Sequence, residues 1–160
     1  HGEVGLEADV VVHQRAAEIE PAFQTRYIGN YLYLTYMQKG MHDDAILENA
    51  KRLSDRAPDK EAEAVAAFKA AYRASGVKGI WQKQIELAQK QQQSDPDLVF
   101  FMAEAHTHLG DKDQAFIWLN KALDQKHPAV PPIKYDPDYE SLHSDPRFAE
   151  LLRRVAATHY

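Results

Sequence analysis

The histidines of this sequence are the residues that most directly suggest metal chemistry, and there are eight of them. His106 and His108 are two residues apart in a segment with helical periodicity, so their side chains project roughly 200° apart. Two helical ligands for one ion sit three or four residues apart, and this spacing therefore disfavours a metal site. We expect His106 to be a partly buried structural residue. The run His42-Asp43-Asp44 stands at a predicted helix start, which favours helix capping over cation binding.

Catalytic motifs are also missing from the sequence. It contains no Gly-rich phosphate loop, no nucleophile elbow and no helical H-E-x-x-H. The absence of cysteine excludes thiol catalysis, cysteine-ligated zinc and disulfides. Aspartates and glutamates are plentiful, but a carboxylate becomes a general acid or base only when its surroundings shift its pKa, which a sequence cannot show. We therefore expect no enzymatic activity, no catalytic residues, no metal and no cofactor.

Composition limits the partners. The 160 residues are 44% hydrophobic and 27% charged with a net charge of −5, as in a globular domain. Lysines and arginines do not cluster beyond Arg153 and Arg154, so we expect no direct nucleic-acid binding. No apolar run approaches the ~20 residues of a membrane span, so we expect no membrane insertion. The expected compartment is the cytoplasm, or an extracytoplasmic one if a parent chain carries a spanning helix.

The helices that would position any site can be predicted from two residue types, proline and glycine, that recur at nearly constant spacing. Prolines recur after 37 and 38 residues, and glycines recur after 36 and 34 residues. They are Pro21, Pro58 and Pro96, and Gly40, Gly76 and Gly110. Each glycine lies between two segments of helical periodicity, where it supplies the left-handed position that ends a helix, and proline is tolerated in the first turn of the next. The pattern predicts successive helix-turn-helix units.

The predicted helices have apolar stripes that need neighbours. We expect helices at about 7–19, 21–38, 42–56, 60–75, 79–92, 96–109 and 112–125, with Asp43 and Asp111 near the starts of two of them. In the last, the stripe consists of Ala115, Phe116, Leu119, Ala122 and Leu123. One helix pair cannot bury such a stripe alone, so the pairs should stack on one another.

These segments resemble tetratricopeptide (TPR) repeats. The stretch "LGDKDQAFIWLNKAL" at 109–123 is similar to the turn and second helix of that family. The first unit resembles the family at Leu32, Tyr36, Gly40, Ala45 and Pro58, and the middle unit at Phe68, Tyr72, Gly76 and Ala88. Trp81 departs from the family, which has a small alanine there, and this predicts an irregular turn at "SGVKGIW". We expect Tyr36 to belong to the core.

The resemblance implies an all-α fold, a right-handed α-solenoid of about three TPR-like helix-turn-helix units with a C-terminal capping helix. As a single domain over 1–160 it divides into a partial leading repeat helix at 7–20, units at 21–57, 58–93 and 95–127, and a Pro-rich segment with the capping helix at 128–160. The absence of an initiator Met and the incomplete leading repeat suggest a fragment of a longer protein.

The end of the chain carries a narrower resemblance. The stretches "AYRASGVKGIWQKQIELAQ" and "KYDPDYESLHSDPRFAELLRRV" are similar to the C-terminal TPR region of bacterial winged-helix, cyclase or serine/threonine kinase regulators. Five of the eight prolines lie between His127 and Phe148, which predicts a loop with one short turn. Ser144-Asp145-Pro146 then predicts the start of a final helix with an apolar stripe.

The resemblance also implies a function. First helices of successive TPR units line a concave groove, and we expect a partner segment, protein or peptide, to bind there. The groove residues that the register predicts are Tyr27, Asn30, Tyr31, Leu34, Arg73, Phe100, Phe101, Glu104 and His108. Ala66 and Ala70 make the middle of the groove small and apolar, which disfavours the family's carboxylate clamp for chaperones. The structural alternative to a binding role is that the tyrosines are buried between repeats.

The expected function is therefore that of a non-catalytic protein-interaction or regulatory module. Two alternative functions stay open. One is a self-association scaffold, which would form a homodimer through its front helix. The other is a small-ligand sensor with a pocket near Trp81 or Trp118.

Overall fold

A computed structural model of the chain describes residues 28–54, 58–91 and 96–160, and its ordered elements are all helical. The α-helices are α1 (Ile28–Lys39), α2 (His42–Leu53), α3 (Pro58–Lys90), α4 (Leu98–His108), α5 (Lys112–Asp124) and α6 (Pro146–Ala157). Two 3-10 helices, η1 (Pro131–Tyr135) and η2 (Pro137–Leu142), precede α6. Across these described ranges no strand occurs, which confirms the all-α class. The predicted leading helix at 7–19 lies outside them.

The chain forms two compact units that divide between Ala74 and Ser75. In the first unit, α1 and α2 pack against each other as a helix pair. The core residues that these two helices supply are Leu32, Tyr33, Tyr36, Ala45, Ile46, Ala50 and Leu53. The core position predicted for Tyr36 is therefore confirmed. The buried Arg52 donates to Asn30 Oδ1 at 2.7 Å and lies 4.3 Å from the centre of the Tyr33 ring.

The turn between α4 and α5 shows why a glycine is needed at this point of each helix pair. Gly110 has φ 78°, the left-handed region. The Asp111 N–H donates to His106 O at 3.0 Å and the Gly110 N–H donates to Thr107 O at 3.1 Å, the two bonds of a Schellman motif. The turn between α1 and α2, at Gly40, has the same two bonds at 2.9 and 3.2 Å. The predicted role of these glycines is confirmed.

The third repeated glycine also separates two helical segments, as predicted, but they meet at a kink without an intervening turn. Within α3, Gly76 has φ 65° and ψ −148°, so α3 consists of a first part at 58–75 and a second part at 77–90. At Gly110, the non-helical residue Asp111 separates the glycine from the next helix. At Gly76, the second part of α3 begins directly after the glycine. Trp81, five residues beyond Gly76, is only 4% exposed, and Ala115 holds the same place after Gly110.

The helix starts support only part of the capping prediction. Asp111 is the N-cap of α5 and its side chain accepts from the Gln114 N–H at 3.2 Å, as expected. The N-cap of α2 is Met41, without a side-chain hydrogen bond, so of the two roles open to Asp43, a side-chain cap or a charge at the helix start, the first is not seen. Asp43 lies in the first turn of α2, where a carboxylate faces the positive end of the helix dipole.

The second unit has a continuous core built from α4, α5, the two 3-10 helices and α6. Its buried members are Val99, Phe100, Ala103, Ala115, Phe116, Leu119, Ala122, Leu123, Val130, Ile133, Tyr139, Leu142, Phe148 and Leu151. Just after α5, the His127 Nε2 lies 2.6 Å from Asp97 Oδ1, and His127 Nδ1 accepts from the Ala129 N–H at 3.2 Å. Since Nδ1 is an acceptor, Nε2 carries the hydrogen that is donated to Asp97.

The Pro-rich segment is more regular than the sequence predicted. In place of a loop with one short turn, it forms η1 and η2, each with proline at its first positions. Proline fixes φ near −65°, which suits the first turn of a helix, and Asp136 caps η2 by accepting from the Asp138 N–H at 3.0 Å. Apolar side chains of both 3-10 helices are buried, so tertiary packing selects this structure.

The last helix confirms the predicted start and stripe. Asp145 caps α6 by accepting from the Arg147 N–H at 2.9 Å, and Phe148 and Leu151 are buried. α6 packs against α5, where Arg147 pairs with Asp113 at 2.6 Å. Farther along α6, Arg154 pairs with Asp124 of α5 at 2.7 Å.

A Gly110→Ala variant should lose about 1 kcal/mol of unfolding free energy, measured by urea denaturation. A Cβ at this position would meet nothing within 4 Å, so the whole cost comes from the positive φ. Gly110→Asn is the control, because asparagine adopts the left-handed region more readily and should cost less. Equal stability of Gly110→Ala and the parent would contradict the turn geometry.

Candidate functional site

Some predicted groove residues lie on the surface of the first unit. On α1, Tyr31 is 37% exposed, whereas Asn30 and Leu34 are half-buried. Asn30 already accepts from Arg52, so it also holds α1 and α2 together. Arg73 is exposed on the first part of α3. Tyr27 lies outside the described residues.

The predicted groove residues of α4 are placed differently. Phe100, Phe101 and Glu104 are 5%, 4% and 1% exposed, so these side chains offer no surface to a partner, in contrast to the expectation. Phe100 stacks on His127 with the ring centres 5.3 Å apart. The reason is that α4 is buried on nearly all sides, from Val99 through Ala105. The continuous apolar run "LVFFMA" is the sequence signal for such a helix.

His108, the last predicted groove residue, is the centre of a different arrangement. Its imidazole lies parallel to the Trp81 indole, with 4.1 Å between ring centres and 3° between planes. Its Nε2 is hydrogen-bonded to Asp138 Oδ1, which joins the end of α4 to η2. The His108 side chain is 31% exposed and the Asp138 side chain is 4% exposed. The second part of α3, α4 and η2 therefore meet at this imidazole.

Two more carboxylates act on the His108–Asp138 pair. Glu104, one helical turn before His108, accepts from Gln84 Nε2 at 3.1 Å, and the same amide also donates to Phe101 O at 2.9 Å. Asp136, the cap of η2, is half-buried. We refer to His108, Glu104, Asp136 and Asp138 as the acidic cluster. It brings three carboxylates and one imidazole together in a largely buried part of the second unit.

The surroundings of Asp138, Asp136 and His108 shift the pKa values of these three members of the acidic cluster. Burial raises the pKa of Asp138 to about 6, with the charges of Glu104 and Asp136 adding to the effect against the opposing hydrogen bond from His108. Burial also raises the pKa of Asp136. For His108, burial by itself lowers the pKa, but the hydrogen bond and charge of Asp138 outweigh it, so that the pKa of His108 is raised. Asp136, Asp138 and His108 therefore retain protons more strongly than the same groups in water.

His106, two residues before His108, behaves in the opposite way. Its side chain is 13% exposed, which confirms the predicted partly buried position. Burial lowers the pKa of His106, although Asp111 nearby partly opposes the shift.

The acidic cluster holds the His108 imidazole in one place. Its Nε2 is hydrogen-bonded to a carboxylate, and one face of its ring is covered by Trp81. Within 28–54, 58–91 and 96–160, no group of three or more His, Asp or Glu side chains has the geometry to hold a metal ion.

Sequence reasoning identified His108 and Glu104 but missed Asp136 and Asp138. Helical periodicity relates Glu104 to His108, four residues apart on α4, but it does not relate α4 to a Pro-rich segment some thirty residues later. The available signal was "YDPDY", where an aspartate before a proline indicates a capped turn that would fix the next aspartate.

No family model, curated protein or solved structure matches this chain significantly. No helix in the part of the chain that the structure describes has both the length and the apolar character of a membrane span.

Proposed function

We propose that the chain is a TPR-like right-handed solenoid that acts as a non-catalytic protein-interaction module. The observation that carries the proposal is the repeated turn: Gly40 and Gly110 end α1 and α4 with the same pair of hydrogen bonds, and Gly76 has the same left-handed φ inside α3. Such units need neighbours to bury their stripes, and arrays of them expose extended concave surfaces. In this proposal α6 is the capping helix.

The proposed binding surface is the part of the predicted groove that stays accessible. On the first unit this is formed by Tyr31 and Leu34 of α1 and by Arg73 of α3. A tyrosine provides a large contact area at a low entropy cost, and an arginine can hold a carboxylate or a backbone carbonyl. These residue types fit an extended peptide segment that carries an acidic group.

The proposed context is a bacterial signalling or transcription regulator of which this chain forms the C-terminal part. The support for it is the sequence "KYDPDYESLHSDPRFAELLRRV", which forms the end of η1, η2 and α6. In such a protein, occupancy of the groove would change the rotation between stacked units and so reach an effector domain.

Peptide selection against the purified chain tests this function. Peptides are selected from a random phage-displayed library, and their Kd is measured by titration calorimetry for the parent, Tyr31→Ala and Arg73→Ala. At least a tenfold weaker binding is expected for each variant, because aromatic and arginine anchors carry most of an interface's free energy. Ile117→Ala is the control, since this side chain is 46% exposed but on α5.

Three results would redirect or overturn the proposal. Selected peptides that bind both variants as tightly as the parent would place the binding surface elsewhere. A stable homodimer in light scattering with no enriched peptide would favour a self-association scaffold. Tryptophan fluorescence that responds to metabolites but not to peptides would favour a small-ligand sensor.

A further inference from the structure

The Pro-rich segment is attached to the helix pair α4–α5 by two kinds of contact. Apolar side chains of η1 and η2, including Tyr139 and Leu142, are fully buried, and the Tyr139 ring lies 5.7 Å from that of Phe100. The polar attachment is the bond between His108 at the end of α4 and Asp138 in η2. Apolar contacts do not depend on pH, whereas the strength of this bond depends on the protonation states of His108 and Asp138.

The groups facing the His108–Asp138 bond make its charge balance unfavourable when all of them are deprotonated. From α4 the bond is faced by Glu104, and from the segment before η2 by Asp136, both of them carboxylates. From the second part of α3 it is faced by the neutral Trp81 ring. A fully deprotonated cluster would therefore place three negative charges in a largely buried volume with no positive charge on the imidazole.

One atom indicates where a proton would be held. Asp138 Oδ2 is buried and has no hydrogen-bond partner, while Oδ1 of the same carboxylate bonds to His108. An ionised, unpartnered oxygen in such a position is costly, and a proton on the carboxyl group removes that cost. This orphaned oxygen is an observation of geometry, independent of the number of acidic groups around it.

We propose that the acidic cluster is a proton-binding latch, which fastens η2 to α4 when it is protonated and loosens it when the protons are lost. With a proton on His108, the imidazolium donates to Asp138 and offsets the carboxylates around it. When that proton leaves, the bond between α4 and η2 loses its charge assistance and the carboxylates repel one another. The Pro-rich segment then opens more readily from the core of the second unit.

The raised pKa values of Asp138 and His108 determine how the stability of the latch changes with pH. Both groups hold protons more strongly in the folded chain than their ordinary pKa values of 3.8 and 6.5 imply. The stabilisation from Asp138 is complete below its ordinary pKa of 3.8 and is lost as the pH rises through about 6. The stabilisation from His108 is complete below its ordinary pKa of 6.5 and is lost as the pH rises through the raised value. His106 contributes with the opposite sign, so a local measurement is needed.

Amide hydrogen exchange in η2 provides that measurement. In the folded chain the Tyr139 N–H donates to Asp136 O at 3.1 Å and the His143 N–H donates to Glu140 O at 3.1 Å. We expect the protection factors of these two amides, corrected for intrinsic exchange, to fall at least fivefold between pH 5.5 and pH 8. The amides in the middle of α5 should show no comparable fall.

Asp138→Asn separates the latch from general effects of pH. Asparagine has the same shape and can still accept from His108, but it cannot titrate. The variant should lose most of the fall in protection, and NMR titration should show a lower pKa of His108 than in the parent, because the charge of Asp138 is gone. The matched control is Asp97→Asn, which changes the pair of Asp97 with His127 in the same unit and should leave the fall intact.

Two results would overturn the proposal. Protection of the Tyr139 and His143 amides in the unmodified chain that does not change between pH 5.5 and pH 8 would overturn it without any variant. A fall in protection that Asp138→Asn retains in full would show that other groups cause it.

Discussion

The Ala115→Arg variant should lose at least about 3 kcal/mol of unfolding free energy, a large fraction of the stability of a domain. Ala115 is 0% exposed and belongs to the continuous core formed by α4, α5 and α6. An arginine there places a charged side chain where a methyl group is enclosed by apolar side chains. Urea denaturation followed by circular dichroism measures the loss.

Ile117→Arg is the matched control, because it introduces the same side chain two residues along the same helix. Ile117 is 46% exposed, so its substitution should change the unfolding free energy by about 0.5 kcal/mol or less. If the two variants were equally stable, α5 would not present the face that the structure assigns to it.

Phe100→Ala should cost about 3–5 kcal/mol, because it removes a buried aromatic ring and leaves a cavity. The ring is 5% exposed and contacts His127 on one side and Tyr139 on another. The same denaturation experiment measures the effect. A groove residue would behave differently, since its removal would weaken partner binding and leave stability almost unchanged.

Tyr31→Ala provides the contrast on α1. Tyr31 is 37% exposed, so its truncation should cost less than half as much as Phe100→Ala. A Phe100→Ala variant as stable as the parent would mean that the ring faces a groove after all, as the TPR register predicted.

The turns and helix ends could be predicted from the sequence because their physical causes are local. A residue with a left-handed backbone conformation is needed where one helix ends and the next begins, and Gly40 and Gly110 adopt it. A carboxylate before a helix start satisfies free N–H groups, as Asp111 and Asp145 do. These features are read from a few neighbouring residues, and the bounds of α5 lie within one residue of the prediction.

The burial of α4 and the acidic cluster could not be predicted because their causes are not local. A repeat register assigns Phe100 and Glu104 to a concave face, but that face is covered where the Pro-rich segment returns to α4, and a single repeat contains no information on this return. The pKa of Asp138 similarly depends on a histidine thirty residues earlier in the chain. That Asp136 would cap a turn could be predicted from the proline after it. That Asp136 would lie near Glu104 and His108 could not.

The attachment of α6 has a consequence for how the molecule opens. Phe148 and Leu151 of this helix are buried, and Leu152 and Val155 pack partly buried against the same core. Arg147 and Arg154 add ion pairs with α5 at the solvent-exposed surface. Counterions at high ionic strength weaken such pairs, while they leave apolar burial intact. Added salt should therefore make the opening of α6 from α5 more frequent without melting α4 and α5.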